Sequence, residues 1–170
     1  MLKPPVDTTD QKLGENNKVI MVEFGDYQCP HCGHAYPLLK RLMGELSAEM
    51  SFVFRNFPLA EAHPMATIAA LAAEAAGKQG KFWEMHDLIF ENQQKLSYQI
   101  FLDFASLLKL DENKFSQDWK SETTLAKVER DFESGVRSGV NGTPTFFING
   151  ARVSSYDGSY ESLRDAVLNS

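Results

Sequence analysis

The 170-residue sequence has only two cysteines, no long hydrophobic run and no cluster of basic residues. Its longest apolar stretch, MATIAALAAEAA, is shorter than the roughly 18 residues that a membrane span needs, so no span is expected. The net charge is −6, and the lysines and arginines are scattered along the chain, so the sequence has no basic patch of the kind that binds nucleic acid. The expected partners therefore include neither nucleic acid nor a membrane.

The two cysteines stand three positions apart, as Cys29 and Cys32. A disulfide between them would close too small a loop to restrict the unfolded chain much, so a disulfide framework for stability is excluded. Three interpretations remain for CPHC: a reactive pair, half of a metal site, or two small buried hydrophobic residues. A metal site would lack ligands, because no second Cys-x-x-Cys or His-x-x-x-His is present. We expect no metal and no cofactor.

The first sixty residues have the pattern of an α/β unit. The run KVIMVEF, which follows Asn16-Asn17, is expected to be a strand covered on both faces. A helix is expected from Pro30 to about Ala48 and a second strand over residues 51–59. A strand, helix and strand of this length form a right-handed βαβ unit with parallel strands.

The rest of the chain divides into a helical part and a short hairpin. Residues 63 to about 139 carry only helical signals, with Ser97 expected as a helix cap and Asp111 at the start of a short turn. TPTFFINGARV then predicts two strands around Asn149-Gly150, and GSYESLRDAVL predicts a final amphipathic helix.

The CPHC sequence lies where the first helix begins, and this position predicts different roles for its two thiols. Cys29 is near the partly positive helix N-terminus, which favours the thiolate, so Cys29 is the expected nucleophile. Pro30 occupies the first helical position. Cys32, one turn deeper, is the expected resolving thiol. His31, when protonated, would add a stabilising charge beside Cys29.

These features together resemble the DsbA-like branch of the thioredoxin superfamily: CPHC after an apolar strand, Glu23 six residues before Cys29, Pro37 eight after it, a helical insertion and a late Gly-Thr-Pro. The resemblance implies a thioredoxin fold (βαβ-ββα) with a helical insertion between its halves. On this basis residues 1–62 and 139–170 would form the thioredoxin-like domain and residues 63–138 the inserted helical subdomain.

The resemblance also implies a function, a protein thiol–disulfide oxidoreductase that exchanges disulfides with protein or peptide thiols and is reset by a redox partner. Glu23, on a strand expected to be buried, would have a raised pKa and take the proton of Cys32. Pro144 would follow a cis bond and face the cysteines, and the backbone of Thr143 would pair with substrate. Thr143 stands where the best-known oxidases of this branch carry Val, so oxidase, reductase and isomerase all remain open.

The start of the sequence leads to one more expectation. MLKPP lacks the apolar segment of a secretory signal and is interpreted as an intact start, which predicts a cytoplasmic protein. If a signal was removed, a periplasmic location is the alternative. Two other functions stay open beside the enzyme: a metal-binding module completed by His34, His63 or His86, and a non-catalytic peptide-binding domain.

Overall fold

A five-stranded sheet forms the centre of the computed structural model, which describes residues 1–15 and 18–170. In chain order the strands are β1 (Gln11–Leu13), β2 (Val19–Gly25), β3 (Met50–Asn56), β4 (Thr145–Ile148) and β5 (Ala151–Arg152). Their spatial order is β1-β3-β2-β4-β5. β2 and β3 are parallel, and the other three pairings are antiparallel. The parallel βαβ unit expected from the sequence is therefore confirmed.

Seven helices pack around this sheet. In chain order they are α1 (Pro30–Leu46), α2 (Ala66–Gly77), α3 (Phe82–Glu91), α4 (Tyr98–Leu107), α5 (Glu112–Trp119), α6 (Glu122–Arg137) and α7 (Tyr160–Leu168). A short 3-10 helix (Gln93–Lys95) lies between α3 and α4. α1 connects β2 to β3, and α2 to α6 lie between β3 and β4, so the thioredoxin fold with inserted helices is confirmed. The exact division into two domains remains a prediction.

The structure differs from the sequence-based expectations at three elements. β1 was missed, since three half-buried residues are too few to show a pattern. The second strand ends at Asn56 and not at Leu59, whose N–H donates to the Asp26 carboxylate. Asp111 opens the helix α5, not just a turn, and accepts a hydrogen bond from Lys114 N–H. The Asn16-Asn17 boundary of the first predicted strand lies outside the described residues.

The sheet separates two hydrophobic cores. Side chains alternate along a strand, so Met21 and Glu23 of β2 face one core, and Val22 and Phe24 face the other. The larger core contains α1, α7 and most of the inserted helices. Glu23 is only 1% exposed. The strand therefore places a carboxyl group on the buried face below α1, the helix that carries both cysteines.

The hairpin predicted around Asn149-Gly150 is confirmed, and its turn depends on backbone conformation. Asn149 and Gly150 have φ angles of 49° and 83°. Two successive positive values are those of a type I′ turn, which matches the twist of paired strands and favours Asn-Gly. This turn brings β4 to the edge of β2, so that the loop before Thr145 lies at the same end of the sheet as Gly25.

Two helical glycines provide a matched test of packing. A methyl group on Gly135 would come within 2.5 Å of the Phe57 ring and 3.1 Å of Phe24, whereas one on Gly44 would meet nothing within 4 Å. We expect Gly135→Ala to lower the free energy of unfolding by about 1–3 kcal/mol through overpacking. Gly44→Ala should raise it by about 0.5–1 kcal/mol because alanine favours the helix. Urea unfolding of both variants measures this, and equal effects would contradict the packing described here.

Candidate active site

The turn between β2 and α1 places Cys29 at the helix N-terminus. Cys29 is the N-cap residue, with extended backbone angles, and Pro30 follows in the first turn. The Cys29 carbonyl accepts a hydrogen bond from Gly33 N–H at 3.0 Å, which closes that turn. The first N–H groups of a helix have no partner inside it, and here they surround the Cys29 sulfur. The predicted position of Cys29 is confirmed.

Asp26 holds this turn in place, a role that the sequence analysis missed. Its buried carboxylate accepts from the N–H groups of Gln28 at 2.7 Å and Cys29 at 3.1 Å through Oδ1. Oδ2 accepts from Leu59 N–H at 2.9 Å and is 2.7 Å from His63 Nδ1. One carboxylate therefore fixes the approach to Cys29 and ties it to the segment that leads into α2. An Asp directly after a strand and three residues before a helix cap was the available signal.

Gln93, from the 3-10 helix, is a second positioning residue that sequence reasoning missed. Its Nε2 donates to the carbonyls of Tyr27 at 3.0 Å and Cys29 at 2.8 Å. The same side chain packs on Gly33, where a β-carbon would lie 2.2 Å from Gln93 Oε1. The glycine after CPHC thus makes room for a contact between the inserted helices and the active-site turn.

Cys29 has the environment of a stable thiolate. Its pKa is lowered to about 5, first by a hydrogen bond from the Cys32 thiol and further by the Thr143 side chain and the backbone N–H groups of Cys32 and His31. Burial opposes this shift, because Cys29 is only 4% exposed, less than expected for an attacking group. The His31 side chain is exposed, and it is the His31 N–H that lowers this pKa. A role for the imidazole charge remains a prediction.

Cys32 is the opposite kind of thiol. It is fully buried, and burial, the hydrogen bond that it gives to Cys29 and the charge of Glu23 raise its pKa well above the ordinary value. The Cys32 sulfur also accepts a long hydrogen bond from Asp26 N–H, at 3.4 Å. The two cysteines are free, so the structure shows the reduced pair. The two thiols therefore differ in acidity, with the pKa of Cys29 lowered and that of Cys32 raised, and their roles as nucleophile and resolving thiol remain predictions.

Glu23 lies on the buried side of this pair. Burial, and then the negative charge of Cys29, raise the pKa of its carboxyl group to about 8. Its Oε1 atom is buried and has no hydrogen-bond partner within residues 1–15 and 18–170. A carboxyl group in this condition can bind or release a proton near neutral pH, which is the property expected of it from the sequence.

The loop before β4 completes the site. The Thr143–Pro144 peptide bond is cis, as expected. Cys29 Sγ lies 3.5 Å from the Thr143 carbonyl oxygen, so a loop more than one hundred positions away in sequence contacts this sulfur. Thr143 Oγ1 is buried without a partner in the described part of the chain, and it is free to donate to the thiolate. The structure thus brings Cys29, Cys32, Glu23, Thr143 and Pro144 together.

The other histidines have partners away from the cysteine sulfurs. His34 Nε2 is 2.8 Å from the Gly158 carbonyl, His63 contacts Asp26, and His86 Nδ1 is 2.9 Å from the Tyr27 hydroxyl. Burial lowers the pKa of His86 to about 3, so this ring is neutral and packs among aromatic side chains. No group of three or more His, Cys, Asp or Glu side chains in the described residues is arranged to hold a metal ion.

Comparison with known proteins identifies the family. A family model described as Thioredoxin matches residues 8–168. The chain belongs to the thioredoxin family. The crystal structure of a thioredoxin-like oxidoreductase from Silicibacter pomeroyi DSS-3 is 27% identical and has a TM-score of 0.81, and the match covers 96% of this chain and 92% of that one.

A DsbA-like protein has the same fold. The thiol-disulfide exchange protein alpha-DsbA2 from Wolbachia pipientis is 23% identical, with a TM-score of 0.81 over 96% of this chain and 88% of that chain. The thioredoxin fold that the DsbA-like resemblance implied is confirmed. None of the helices in the described residues has the length and apolar character needed to cross a membrane.

Curated relatives correct one expectation. The Na(+)/H(+) antiporter NhaA 1 of Salinispora arenicola is 42% identical over 151 residues, which is 88% of this chain but 22% of the antiporter. The chain thus spans about a quarter of the length of the curated relatives that it matches. The predicted cytoplasmic location, which rested on MLKPP as an intact start, is wrong. The antiporters contradict it, because in them the matching region is part of a much longer protein and not a free-standing chain.

The acidity of Cys29 can be measured directly. Thiolate absorbance should show one group that titrates near pH 5, while the second thiol stays protonated at neutral pH. Thr143→Val should raise the pKa of Cys29 because a hydroxyl donor is lost. Thr143→Ser is the matched control and should keep the low value. A Cys29 pKa near 8.5 in the wild type, or equal values in the Val and Ser variants, would contradict this account of the site.

Proposed function

We propose that the chain exchanges disulfides with protein or peptide thiols through Cys29 and Cys32. The observation that supports this most strongly is the unequal acidity of two thiols one helical turn apart, the outer lowered to a pKa of about 5 and the inner raised. A thiolate is the attacking species in thiol–disulfide exchange, and the leaving thiolate departs faster when its own pKa is low. Cys29 satisfies both conditions.

In the oxidised enzyme, a substrate thiolate attacks Cys29 Sγ and breaks the Cys29–Cys32 bond, and Cys32 takes up a proton. A second substrate thiolate then attacks the substrate sulfur of the mixed disulfide. It expels Cys29 as a stable thiolate, so the substrate is oxidised and the enzyme pair is reduced. The stability of that thiolate favours the dithiol enzyme, which makes the pair a donor of disulfides. A redox partner must then remove two electrons to restore the disulfide.

In the reverse direction, Cys32 must lose its proton before it can attack the mixed disulfide at Cys29. Glu23 is the proposed acceptor. Once Cys29 is bonded to substrate, its negative charge is gone, and one of the two causes that raise the Glu23 pKa disappears. A larger fraction of Glu23 is then carboxylate and can take the Cys32 proton. The Cys32 thiolate attacks Cys29 Sγ, and the substrate leaves as a thiolate.

Thr143 and Pro144 are proposed to border the substrate. The Thr143 carbonyl already contacts Cys29 Sγ in the reduced state, and an extended peptide would find the same backbone beside the sulfur. Pro144 has no N–H to compete for that peptide. A metal-binding module is less well supported, because His34, His63 and His86 have partners elsewhere. A peptide-binding domain without catalysis would not need two thiols of such different acidity.

Trapping of mixed disulfides tests the exchange. Cys32→Ser should accumulate a covalent adduct with a disulfide-bonded peptide, because the resolving thiol is missing. Cys29→Ser is the matched control and should form no adduct, since the remaining thiol is buried and protonated. Mass spectrometry after acid quenching counts the adducts. Trapping by neither variant, with both folded, would refute the proposed function.

The role of Glu23 is tested separately by the rate of resolution. Glu23→Gln keeps the size of the side chain but cannot accept the proton, so release of the mixed disulfide at pH 7 should slow by about 10²-fold. The rate should recover at high pH, where Cys32 ionises without help. Stopped-flow measurements across pH show this. An unchanged pH profile in Glu23→Gln would make Glu23 a structural residue only.

A further inference from the structure

A cavity of about 430 Å³ lies beside the active site, between α1, α3 and the sheet. Its walls are mainly apolar and include Leu39 and Met43 of α1, Phe52 of β3, and Trp83 and Phe90 of α3. Pockets that bind small molecules have volumes of about 300–1,000 Å³ and apolar walls with a few polar groups. An apolar cavity of about 150 Å³ can already hold benzene, so this one can hold a larger ring compound.

One polar group in the cavity wall is unsatisfied. Glu23 contributes to the lining, is 1% exposed, and its Oε1 atom has no hydrogen-bond partner in the described residues. Lys40, Tyr36 and His86, which also line the cavity, already have polar partners. Lys40 Nζ is 2.6 Å from Asp87, the Tyr36 hydroxyl donates to Glu91, and His86 contacts Tyr27. A buried polar atom without a partner costs free energy, so a molecule that supplies one gains affinity at this position.

The charges at the cavity restrict the kind of molecule. Glu23 has a pKa of about 8, so at neutral pH it is mostly an uncharged carboxyl group that can donate or accept a hydrogen bond. In the lining, the charges of Lys40 and Asp87 balance each other in an ion pair, and the His86 ring is neutral. None of these lining groups carries a free charge that could pair with a charged ligand. Burial of an unpaired charge is costly. Trp83 and Phe90 offer flat faces suited to an aromatic ring.

We propose that this cavity is a binding site for a small uncharged aromatic molecule with one hydrogen-bonding group, of the phenol class, which places that group on Glu23 and its ring among Trp83, Phe52 and Phe90. This site shares Glu23 with the proposed proton path of Cys32, but its ligand would lie between α1 and α3 and would undergo no sulfur chemistry. It depends on the shape of the cavity and not on the exchange reaction.

The test compares two probes, p-cresol and toluene, which differ by one hydroxyl group. In the reduced wild-type protein, p-cresol should shift the indole N–H signal of Trp83 saturably and one-to-one. The indole of Trp119, which donates to the Ile68 carbonyl at 3.0 Å, is the internal reference and should stay in place. Toluene should bind roughly three- to tenfold more weakly, the value of one net hydrogen bond. Glu23→Leu should remove that difference.

Gly44 allows a control that blocks the cavity without disturbing the fold. It belongs to the lining, and a β-carbon there meets nothing within 4 Å, so a side chain can enter the open space. Gly44→Leu should weaken p-cresol binding at least tenfold, whereas Gly44→Ala should bind as the wild type does. The proposal is overturned if folded wild-type protein gives no saturable shift, if both probes bind equally, or if Gly44→Leu and Gly44→Ala bind alike. None of these readouts depends on thiol exchange.

Discussion

The properties of this site depend on which of three neighbouring buried acidic groups carries a negative charge. Cys29, Cys32 and Glu23 lie close enough that the charge of one raises the pKa of another. Cys29 takes the charge because the Cys32 thiol and the N–H groups of His31 and Cys32 stabilise its thiolate, with the Thr143 hydroxyl placed to do the same. Cys32 and Glu23 remain protonated as a result. When Cys29 forms a mixed disulfide with substrate, its charge is lost and the pKa of Glu23 falls, so that Glu23 can lose its proton and then accept the proton of Cys32.

The scaffold keeps these groups in position through backbone contacts. Asp26 accepts from the N–H groups of Gln28 and Cys29, and Gln93 donates to the carbonyls of Tyr27 and Cys29. Both also bind the inserted helices to the thioredoxin-like half, Asp26 through His63 and Gln93 through its own place in the insertion. The inserted segment therefore contacts the turn that carries Cys29 directly, through His63 and Gln93.

The sequence predicted the residues that belong to a local pattern. Cys29, Cys32 and Pro30 stand together at a strand-to-helix junction, and Glu23 is a carboxyl in an apolar run, so their positions follow from short-range rules. Thr143 and Pro144 could be placed only through a family resemblance, because more than one hundred residues separate them from Cys29. Asp26 and Gln93 were missed because side-chain contacts to backbone depend on how distant elements pack. The cavity could not be predicted from the sequence either, because its walls come from five elements and the loops beside them.

The equilibrium between the Cys29–Cys32 pair and glutathione tests the central claim most directly. The protein would be equilibrated with mixtures of reduced and oxidised glutathione, alkylated, and analysed by mass for the fraction with an intramolecular disulfide. A stable Cys29 thiolate favours the dithiol, so we expect a reversible transition at a potential less negative than the roughly −270 mV of thioredoxin. A pair that forms no reversible disulfide, or one with a more negative potential, would contradict the account.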